Sequence, residues 1–221
     1  MISIAIDGPA GAGKSTIARR VAQRLGYLYV DTGALYRAIA LHMLREGKNP
    51  AIPKEVILEL DSVQVSLQYV EGEQQVLLGT ENVSDSIRTP EVAAASSKVS
   101  AIPQVREFLL SLQRNLAKQN DVVMDGRDIG TVVLPNAQVK IFLTASLEER
   151  ARRRWKELLE KGDADFNTVL ADVKQRDEQD TTRSIAPLVQ APDAILVDTT
   201  GITLEQSINR MLAVIQDRLS H

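Results

Sequence analysis

The chain has 221 residues, of which 44% are hydrophobic, a formal net charge of −3 at pH 7, and no cysteine. The hydrophobic content is enough for a buried core, and the weak negative charge favours neither a nucleic acid nor an anionic membrane as a partner. The lack of cysteine excludes disulfides and thiolate metal sites and suits a reducing cytosol. No apolar run approaches the length of a membrane span and no signal peptide is recognisable, so we expect a cytoplasmic protein.

The first predicted elements are a strand, a glycine-rich loop and a helix. Residues 2–7 form an apolar run typical of a buried strand. Ile17, Val21 and Leu25 recur at four-residue spacing, which predicts an amphipathic helix. Between them, residues 8–15 match G-x-x-x-x-G-K-[ST], the pattern of a phosphate-binding loop that leads from a strand into a helix.

This loop has a definite chemistry. Glycines let the backbone wrap closely around phosphate oxygens, because a positive φ costs them little. The N–H groups of the loop and of the first helical turn then point at the anion. Lys14 would reach the β- and γ-phosphates, and the Ser15 hydroxyl would hold Mg²⁺. An accidental glycine-rich turn is the alternative, and the strand and helix on either side of the loop argue against it.

A second strand and helix continue this alternation. Residues 27–30 predict a short buried strand, and the helix predicted over 33–46 has Leu35, Ile39 and Met43 on one face. A strand–helix–strand unit with a phosphate loop at its first turn implies a parallel sheet covered by helices.

The next segment departs from that pattern. Apolar side chains alternate over 63–70, residues 71–73 can turn the chain, and 75–78 can return as a second strand. Half-exposed antiparallel strands do not fit inside a parallel sheet, so we expect a small separate sheet at about 63–85. Two predicted helices follow, one starting near Thr89-Pro90 and one near Pro103.

The second half of the chain resumes buried strands and amphipathic helices. Two capping boxes mark helix starts, at Ser146 before an arginine-rich helix and at Thr203 before the last helix. Strands are predicted over 121–125, 138–143 and 193–198, and a further helix over about 166–179. The prediction is an α/β fold, a five-stranded parallel sheet flanked by helices with a small antiparallel-sheet insertion.

Several classes of phosphate-loop protein can be compared with this pattern. A GTPase would need a guanine-reading Asn/Thr-Lys-x-Asp motif late in the chain, which is missing, and a motor ATPase would need a longer chain. A short chain with an insertion after its second strand and an arginine-rich segment after its fourth favours a small-molecule kinase.

Four stretches of the chain, the phosphate-binding loop among them, form a combined pattern. They are Gly8–Ser15, Asp31–Arg37, Asp125–Thr131, and Arg176–Asp180 with Arg183 and Ala186–Leu188. In combination they resemble a bacterial cytidylate kinase, a P-loop nucleoside monophosphate kinase, and the resemblance runs from the first strand to the last helix. The Gly-Arg-Asp-x-Gly-Thr pattern is the specific part, since it separates this family from adenylate and thymidylate kinases.

The resemblance implies a reaction and a domain organisation. The γ-phosphoryl group of MgATP would pass to CMP or dCMP, giving ADP and CDP or dCDP. The implied protein is a cytoplasmic monomer that binds these small nucleotides with Mg²⁺, and neither nucleic acid nor a membrane. The implied regions are a core at 1–31, 121–145 and 186–221, a monophosphate-binding region at 32–120, and an arginine-rich helical lid at 146–185.

The resemblance also assigns site residues. Arg37, Arg127 and Arg183 would bind the acceptor phosphate, because arginine can clamp a phosphate with two parallel hydrogen bonds. The implied nucleotide-binding residues are Gly8, Pro9, Ala10, Gly11, Ala12, Gly13, Lys14, Ser15 and Thr16. The implied catalytic residues are Lys14, Arg127, Arg183, Arg153 and Arg154. The implied acceptor-binding residues are Thr32, Tyr36, Arg37, Ser97, Arg106, Arg127, Asp128, Arg176, Asp180 and Arg183, and the implied metal-binding residues are Ser15 and Asp125.

Within the acceptor set, Asp128, Arg106 and Ser97 would read the base, and Arg176 and Asp180 would contact the ribose. A carboxylate can accept from the cytosine N4 amino group. Each role has a structural alternative: Arg176 and Asp180 could form an i,i+4 salt bridge, and Asp125 could be a structural cap.

The arginines of the helix that begins after Ser146 also have structural and functional interpretations. We expect i,i+4 pairs of Glu148 with Arg152 and of Glu149 with Arg153, and contact of Arg153 or Arg154 with ATP phosphates after closure of the lid.

Two alternative functions remain open at this point. One is a monophosphate kinase that prefers UMP or AMP. The other is a regulatory or RNA-associated P-loop ATPase, against which the net charge and the lack of basic–aromatic alternation argue.

Overall fold

The computed structural model describes residues 1–160 and 162–220, which form two compact units. Unit 1 contains residues 1–28 and the chain from residue 120 onward, and unit 2 contains residues 29–119. The strands are β1 (Ser3–Asp7), β2 (Leu28–Asp31), β3 (Val65–Val70), β4 (Glu73–Leu78), β5 (Glu81–Asn82), β6 (Val122–Gly126), β7 (Val139–Thr144) and β8 (Ile195–Asp198). The helices are α1 (Lys14–Leu25), α2 (Thr32–Arg45), α3 (Pro53–Glu59), α4 (Pro90–Val99), α5 (Pro103–Gln119), α6 (Leu147–Leu159), α7 (Phe166–Thr182) and α8 (Leu204–Ser220).

The larger sheet confirms the predicted parallel architecture. Within the described residues it has five strands in the order β2-β6-β1-β7-β8. β1 pairs in parallel with β6 on one side and with β7 on the other, and Ile6 lies opposite both Asp125 and Ile141. Since the carboxyl ends of parallel strands meet at one edge, Asp7 at the end of β1 and Asp125 one residue before the end of β6 lie near the same edge of the sheet.

The hydrophobic core of unit 1 lies around β1. Its central strands are mostly buried, with Ile4, Ile6 and Ile141 at most 1% exposed. Helix α1 packs against β6 and against α8, and the predicted face of α1 supplies buried Ile17 and Val21. This packing holds the loop between β1 and α1 at the carboxyl edge of the sheet.

Unit 2 contains the predicted small antiparallel sheet, ordered β3-β4-β5. Val70 pairs with Glu73 across a two-residue turn, so Glu73 belongs to the strand rather than to the turn. Glu71 and Gly72 have φ angles of 51° and 81°, as a tight type I′ hairpin requires. Alternate residues of β3 are exposed, as the alternating pattern predicts.

The core of unit 2 is built on α2. Leu35, Ile39 and Met43 are each 0% exposed, which confirms the predicted apolar face. Helix α3 was not predicted: it has seven residues, begins with Pro53 and buries Val56, so its periodic signal is too short to recognise. The two-residue strand β5 was not predicted either, for the same reason.

Helix starts follow the capping signals. The Ser146 hydroxyl accepts from the Glu149 N–H at 3.2 Å, and Thr89 accepts from the Val92 N–H at 3.2 Å. At α8 the box is reciprocal, because Gln206 accepts from the Thr203 N–H at 2.8 Å and Thr203 accepts from the Gln206 N–H at 3.2 Å. None of the helices in the part of the chain that the structure describes has the length and apolar composition of a membrane span.

Candidate active site

The phosphate-binding loop lies between β1 and α1, and β7 packs closely against its first residue, Gly8. A Cβ at Gly8, which has a φ of +154°, would lie 1.9 Å from the carbonyl oxygen of Leu143 in β7. Gly13 adopts a left-handed conformation, with φ 83°, immediately before α1. Glycine is therefore required at Gly8 by the close approach of β7 and favoured at Gly13 by the backbone conformation.

Lys14 is buried at the start of α1. Its Nζ donates to the carbonyl oxygen of Pro9 at 2.8 Å, and the residue is 6% exposed. Burial, followed by the charge of Arg127, lowers the pKa of Lys14 well below its usual value, and Asp125 and Asp180 oppose that effect. The ammonium group therefore lacks full charge compensation where it lies, and an incoming anion would supply it.

Ser15 and Asp125 connect α1 to the end of β6. The Ser15 Oγ donates to Oδ2 of Asp125 at 2.9 Å, and Asp125 is 3% exposed. Within residues 1–160 and 162–220, no three His, Cys, Asp or Glu side chains could hold a metal ion by themselves. A hydroxyl and one carboxylate suit Mg²⁺ that arrives with nucleotide phosphates, since Mg²⁺ prefers oxygen ligands and is usually held by one or two carboxylates plus phosphate.

Arg127, Asp180 and Arg183 form an ion-pair group in unit 1. The Arg127 Nε donates to Oδ2 of Asp180 at 2.8 Å, and Nη1 of Arg183 lies 3.8 Å from Oδ1 of the same carboxylate. Burial acts to raise the pKa of Asp180, but the charges of Arg127, Arg176 and Arg183 outweigh it, so the pKa is lowered. An i,i+4 salt bridge with Arg176 therefore does not fully describe Asp180, because Asp180 also pairs with Arg127, which is 53 residues away in the sequence.

A π-helical turn at Ile129–Val133 follows Asp128 in the Gly-Arg-Asp-x-Gly-Thr stretch. The carboxylate of Asp7 accepts from the Ile129 N–H and from the Gly130 N–H, both at 2.7 Å. Asp7 is 5% exposed, and burial raises its pKa to about 6 in spite of these two hydrogen bonds. This role of Asp7 was not predicted from the sequence. An acidic residue at the end of β1, beside β6, was the available signal for it.

Asp128 itself is buried, with 4% exposed. Its backbone carbonyl accepts from the Val132 N–H at 2.9 Å and the Val133 N–H at 3.1 Å, which closes the π-helical turn. Its charge contributes to the raised pKa of Asp7, so the two carboxylates lie near each other.

Unit 2 brings Asp31 and Arg37 together at the start of α2. Asp31 caps this helix by accepting from the Ala34 N–H at 3.0 Å, and its Oδ2 accepts from Nη2 of Arg37 at 2.8 Å. Burial acts to raise the pKa of Asp31, but the charge of Arg37 and the Ala34 hydrogen bond lower it overall. A Cβ at Gly33 would lie 3.1 Å from Nη1 of Arg37, so glycine there leaves room for the guanidinium group.

The other predicted acceptor residues of unit 2 lie on α2, α4 and α5. The Arg106 guanidinium lies 5.4 Å from the centroid of the Tyr36 ring, within cation–π distance, and its Nη1 donates to the Ser100 carbonyl at 3.1 Å. Thr32 is buried at the first position of α2, and Ser97 is half-buried on α4.

The arginines of α6 divide into buried and exposed ones. Arg150 is 6% exposed and donates to Ala10 of the phosphate loop, whereas Arg154 is half-buried and pairs with Glu157 at 3.0 Å. The predicted Glu149–Arg153 pair is present at 3.1 Å. Arg152 pairs with Glu149, at 3.2 Å, where we expected Glu148, because the i,i+3 partner reaches it as well as an i,i+4 one would.

Unit 1 thus places most of the predicted phosphate-handling residues in one charge cluster. Its cations are Lys14, Arg127, Arg176 and Arg183, and its carboxylates are Asp125 and Asp180. Asp7 also lies within electrostatic range of Lys14, so cations and carboxylates lie together here, and the arginines supply groups that can bind phosphate.

Solved structures share this fold. An uncharacterized protein from Eubacterium ventriosum superposes with a TM-score of 0.56 at 13% identity, covering 98% of both chains. A gluconokinase from Sinorhizobium meliloti superposes with a TM-score of 0.50 at 16% identity, covering 98% of this chain and 92% of its own. At these identities the similarity shows the fold alone.

Sequence comparison reaches further. The cytidylate kinase family model matches residues 4–217. A cytidylate kinase from Caldicellulosiruptor bescii is 50% identical over 212 residues, covering 96% of this chain and 94% of its own length. One from Carboxydothermus hydrogenoformans is 49% identical with 96% of both chains covered, and one from Enterococcus faecalis is 47% identical with 98% and 96% covered. The chain therefore belongs to the cytidylate kinase family and is a phosphotransferase.

Proposed function

We propose that this protein transfers the γ-phosphoryl group of MgATP to CMP or dCMP, giving ADP and CDP or dCDP. Phosphoryl transfer asks a protein mainly to position the reactants and to neutralise charge. The observation that supports the proposal best is the group of arginines around buried Lys14, where burial and then the charge of Arg127 disfavour the ammonium group. Bound phosphates would offset the repulsion between Lys14 and Arg127, and their negative charge would be attracted to both groups.

On the donor side, the phosphate loop binds the ATP phosphates. The N–H groups at the start of α1 point toward a bound anion, and the helix dipole adds to the attraction. Lys14 neutralises charge on the transferred group. Ser15 and Asp125 hold Mg²⁺ on the nucleotide phosphates, directly or through water, and the ion supplies charge neutralisation between the β- and γ-phosphates.

On the acceptor side, Arg127 and Arg183 bind the monophosphate in unit 1. Asp180 holds both guanidinium groups in place before the substrate arrives, which lowers the entropy lost on binding. Arg37 serves the same phosphate, and Asp31 orients it in the same way. Arg176 and Asp180 contact the ribose.

For the base, we assign the reading of cytosine to Asp128, with Arg106 and Ser97. A buried carboxylate accepts from the N4 amino group of cytosine and repels the O4 carbonyl that uracil has there. Thr32 and Tyr36 complete the acceptor set, and Tyr36 orients Arg106 through the cation–π contact.

The helical segment 146–185 is the proposed lid. Closure would bring Arg153 or Arg154 to the ATP phosphates and keep water from the γ-phosphate until the acceptor binds. We further propose that the protein acts as a monomer in the cytoplasm, on small nucleotides rather than on nucleic acid or a membrane.

A coupled ADP-release assay tests the proposal. With MgATP as donor, CMP and dCMP should support ADP formation at far higher kcat/KM than UMP or AMP, and the rate without acceptor should be a small fraction of the kinase rate. Highest activity with UMP or AMP would make the protein a different monophosphate kinase. ADP formation that is independent of any acceptor and stimulated by RNA would favour the ATPase alternative.

A further inference from the structure

Two arginines of α6 form hydrogen bonds with backbone carbonyl groups of the phosphate-binding loop. Nη1 of Arg150 donates to the Ala10 carbonyl at 2.9 Å, and Nη1 of Arg153 donates to the Ala12 carbonyl at 3.3 Å. The backbone of α6 is also close to the loop, since a Cβ at Gly11 would lie 2.9 Å from the Arg150 carbonyl oxygen.

Each arginine is itself fixed by other groups. Arg150 is buried, donates from Nε to the Ala145 carbonyl at 2.9 Å, and has Nη2 2.6 Å from a carboxylate oxygen of Asp177 in α7. Arg153 donates from Nη1 and Nη2 to the hydroxyl and the carbonyl of Thr199, at 3.1 and 2.7 Å. Both guanidinium groups are therefore rigidly placed, which a direct phosphate ligand on a mobile lid would not require.

The trans geometry of the peptide bond links these carbonyl contacts to the direction of the neighbouring N–H groups. A trans peptide points its C=O and N–H in opposite directions. When Arg150 binds the Ala10 carbonyl, the N–H of Gly11 points away from α6, and Arg153 has the same effect on the N–H of Gly13 through Ala12. Glycines in this loop could otherwise rotate their peptides at little cost.

We propose that Arg150 and Arg153 are positioning residues that orient the N–H groups of Gly11 and Gly13 toward the bound phosphates. This rests on the proposed function of the loop as the ATP site. Arg153 then acts on the phosphate through the backbone, which leaves Arg154 as the direct ATP contact of the proposed lid, and Arg150 gains a role that the resemblance does not assign.

The test measures phosphate binding without an acceptor. Inorganic tripolyphosphate is titrated by calorimetry into the intact protein and into Arg150→Gln, Arg153→Gln and Arg152→Gln. Arg152 is the matched control, because it lies on the same helix, is exposed and pairs with Glu149. We expect about 10-fold weaker binding for each of the first two variants, the size expected for a lost charge-assisted hydrogen bond, and less than 2-fold for the control.

Amide NMR separates positioning from direct contact. In the unaltered protein the Gly11 and Gly13 amide signals should shift on addition of tripolyphosphate, and these shifts should shrink in Arg150→Gln and Arg153→Gln. Weaker binding with unchanged glycine shifts would mean that the arginines contact the phosphate themselves, and this would overturn the proposal. Unchanged affinity with a lower Tm would reduce them to structural residues and would overturn it as well.

If one variant fails to fold, the other carries the test, since Arg150 and Arg153 hold different carbonyl groups. An acceptor other than CMP would leave these results intact, because tripolyphosphate binding does not involve the acceptor. Failure of the control, with Arg152→Gln binding as weakly as the other variants, would show that the general charge of α6 is responsible, and the proposal would be wrong.

Discussion

Ser15 and Asp125 are joined by a 2.9 Å hydrogen bond between positions 110 residues apart, one in the first turn of α1 and one near the end of β6. The bond places a hydroxyl and a buried carboxylate beside the phosphate loop. Both groups are oxygen donors of the kind that Mg²⁺ prefers.

Replacing Asp125 tests this pair as a magnesium site. Asp125→Asn should raise the Mg²⁺ concentration for half-maximal velocity by about 10-fold or more, the usual effect of losing a supporting ligand. The measurement is a Mg²⁺ titration of ADP release at saturating nucleotides. Asp193→Asn is the control, since this exposed carboxylate pairs with Lys140, and it should leave the titration unchanged. An unaltered Mg²⁺ requirement in Asp125→Asn would assign Asp125 to a structural role.

Removing the charge of Lys14 should affect catalysis much more than stability. Lys14→Met should lower kcat/KM by about 10²–10³-fold, as loss of a preorganised charge on the transferring group does. Burial and the charge of Arg127 lower the pKa of Lys14, so its charged form is less favourable in the folded state than in water. Loss of that penalty offsets the lost bond to Pro9, and the free energy of unfolding should change by no more than about 1 kcal/mol. Near-normal ADP release from the folded variant would contradict the loop assignment.

The pH dependence of stability should carry a contribution from Asp7. Its folded-state pKa is about 6 against an ordinary value of 3.8, because burial disfavours the charged form. A raised folded pKa means that the folded state binds the proton more tightly than the unfolded state. The stabilisation is complete below pH 3.8 and is lost as the pH rises through 6, which amounts to about 3 kcal/mol.

Asp7→Asn removes this titration. Asparagine cannot accept from both the Ile129 and Gly130 N–H groups, so the variant is less stable throughout. Its deficit in free energy of unfolding should shrink by about 2 kcal/mol between pH 4 and pH 7, because the protonated carboxyl group that the fold favours is lost from the parent protein as the pH rises through 6. Urea denaturation at a series of pH values measures this, and a deficit independent of pH would contradict the assignment.

Base selectivity should depend mainly on Asp128. Asp128→Asn keeps the shape but loses the charge, and its amide can present either a donor or an acceptor. A good polar contact to a base contributes about 1–3 kcal/mol of discrimination, so kcat/KM for CMP should fall by roughly 10-fold or more. The CMP/UMP ratio should shrink, and the KM for ATP should stay nearly constant. An equal loss of CMP and UMP activity would move the base-reading role to Arg106 and Ser97.

Local sequence determined the parts of this protein that depend on neighbouring residues. The loop at 8–15, the α2 face of Leu35, Ile39 and Met43, and the capping box at Thr203 each arise from contacts within a few positions of the chain. Spacing alone reports such contacts, because helix and strand periodicities are properties of the backbone. The family could be predicted from the motifs for the same reason, because each motif is a short run of neighbouring residues.

Tertiary structure decided the partners of the charged side chains and the order of the strands. Asp180 has Arg176 as an i,i+4 neighbour on its own helix, and it also has a 2.8 Å hydrogen bond with Arg127, which directly follows β6. Arg150 and Arg154 lie on the same arginine-rich helix, but packing against the phosphate loop buries the first, whereas the second keeps 42% of its side chain exposed. In the sequence, Asp7 is only the last residue of a strand. In the structure, β6 lies beside it and the π-helical turn donates two N–H groups to its carboxylate. An ionic or hydrogen-bonded pair between distant segments leaves no periodic trace in the sequence, because its distance is set by the packing of the sheet rather than by the spacing of residues.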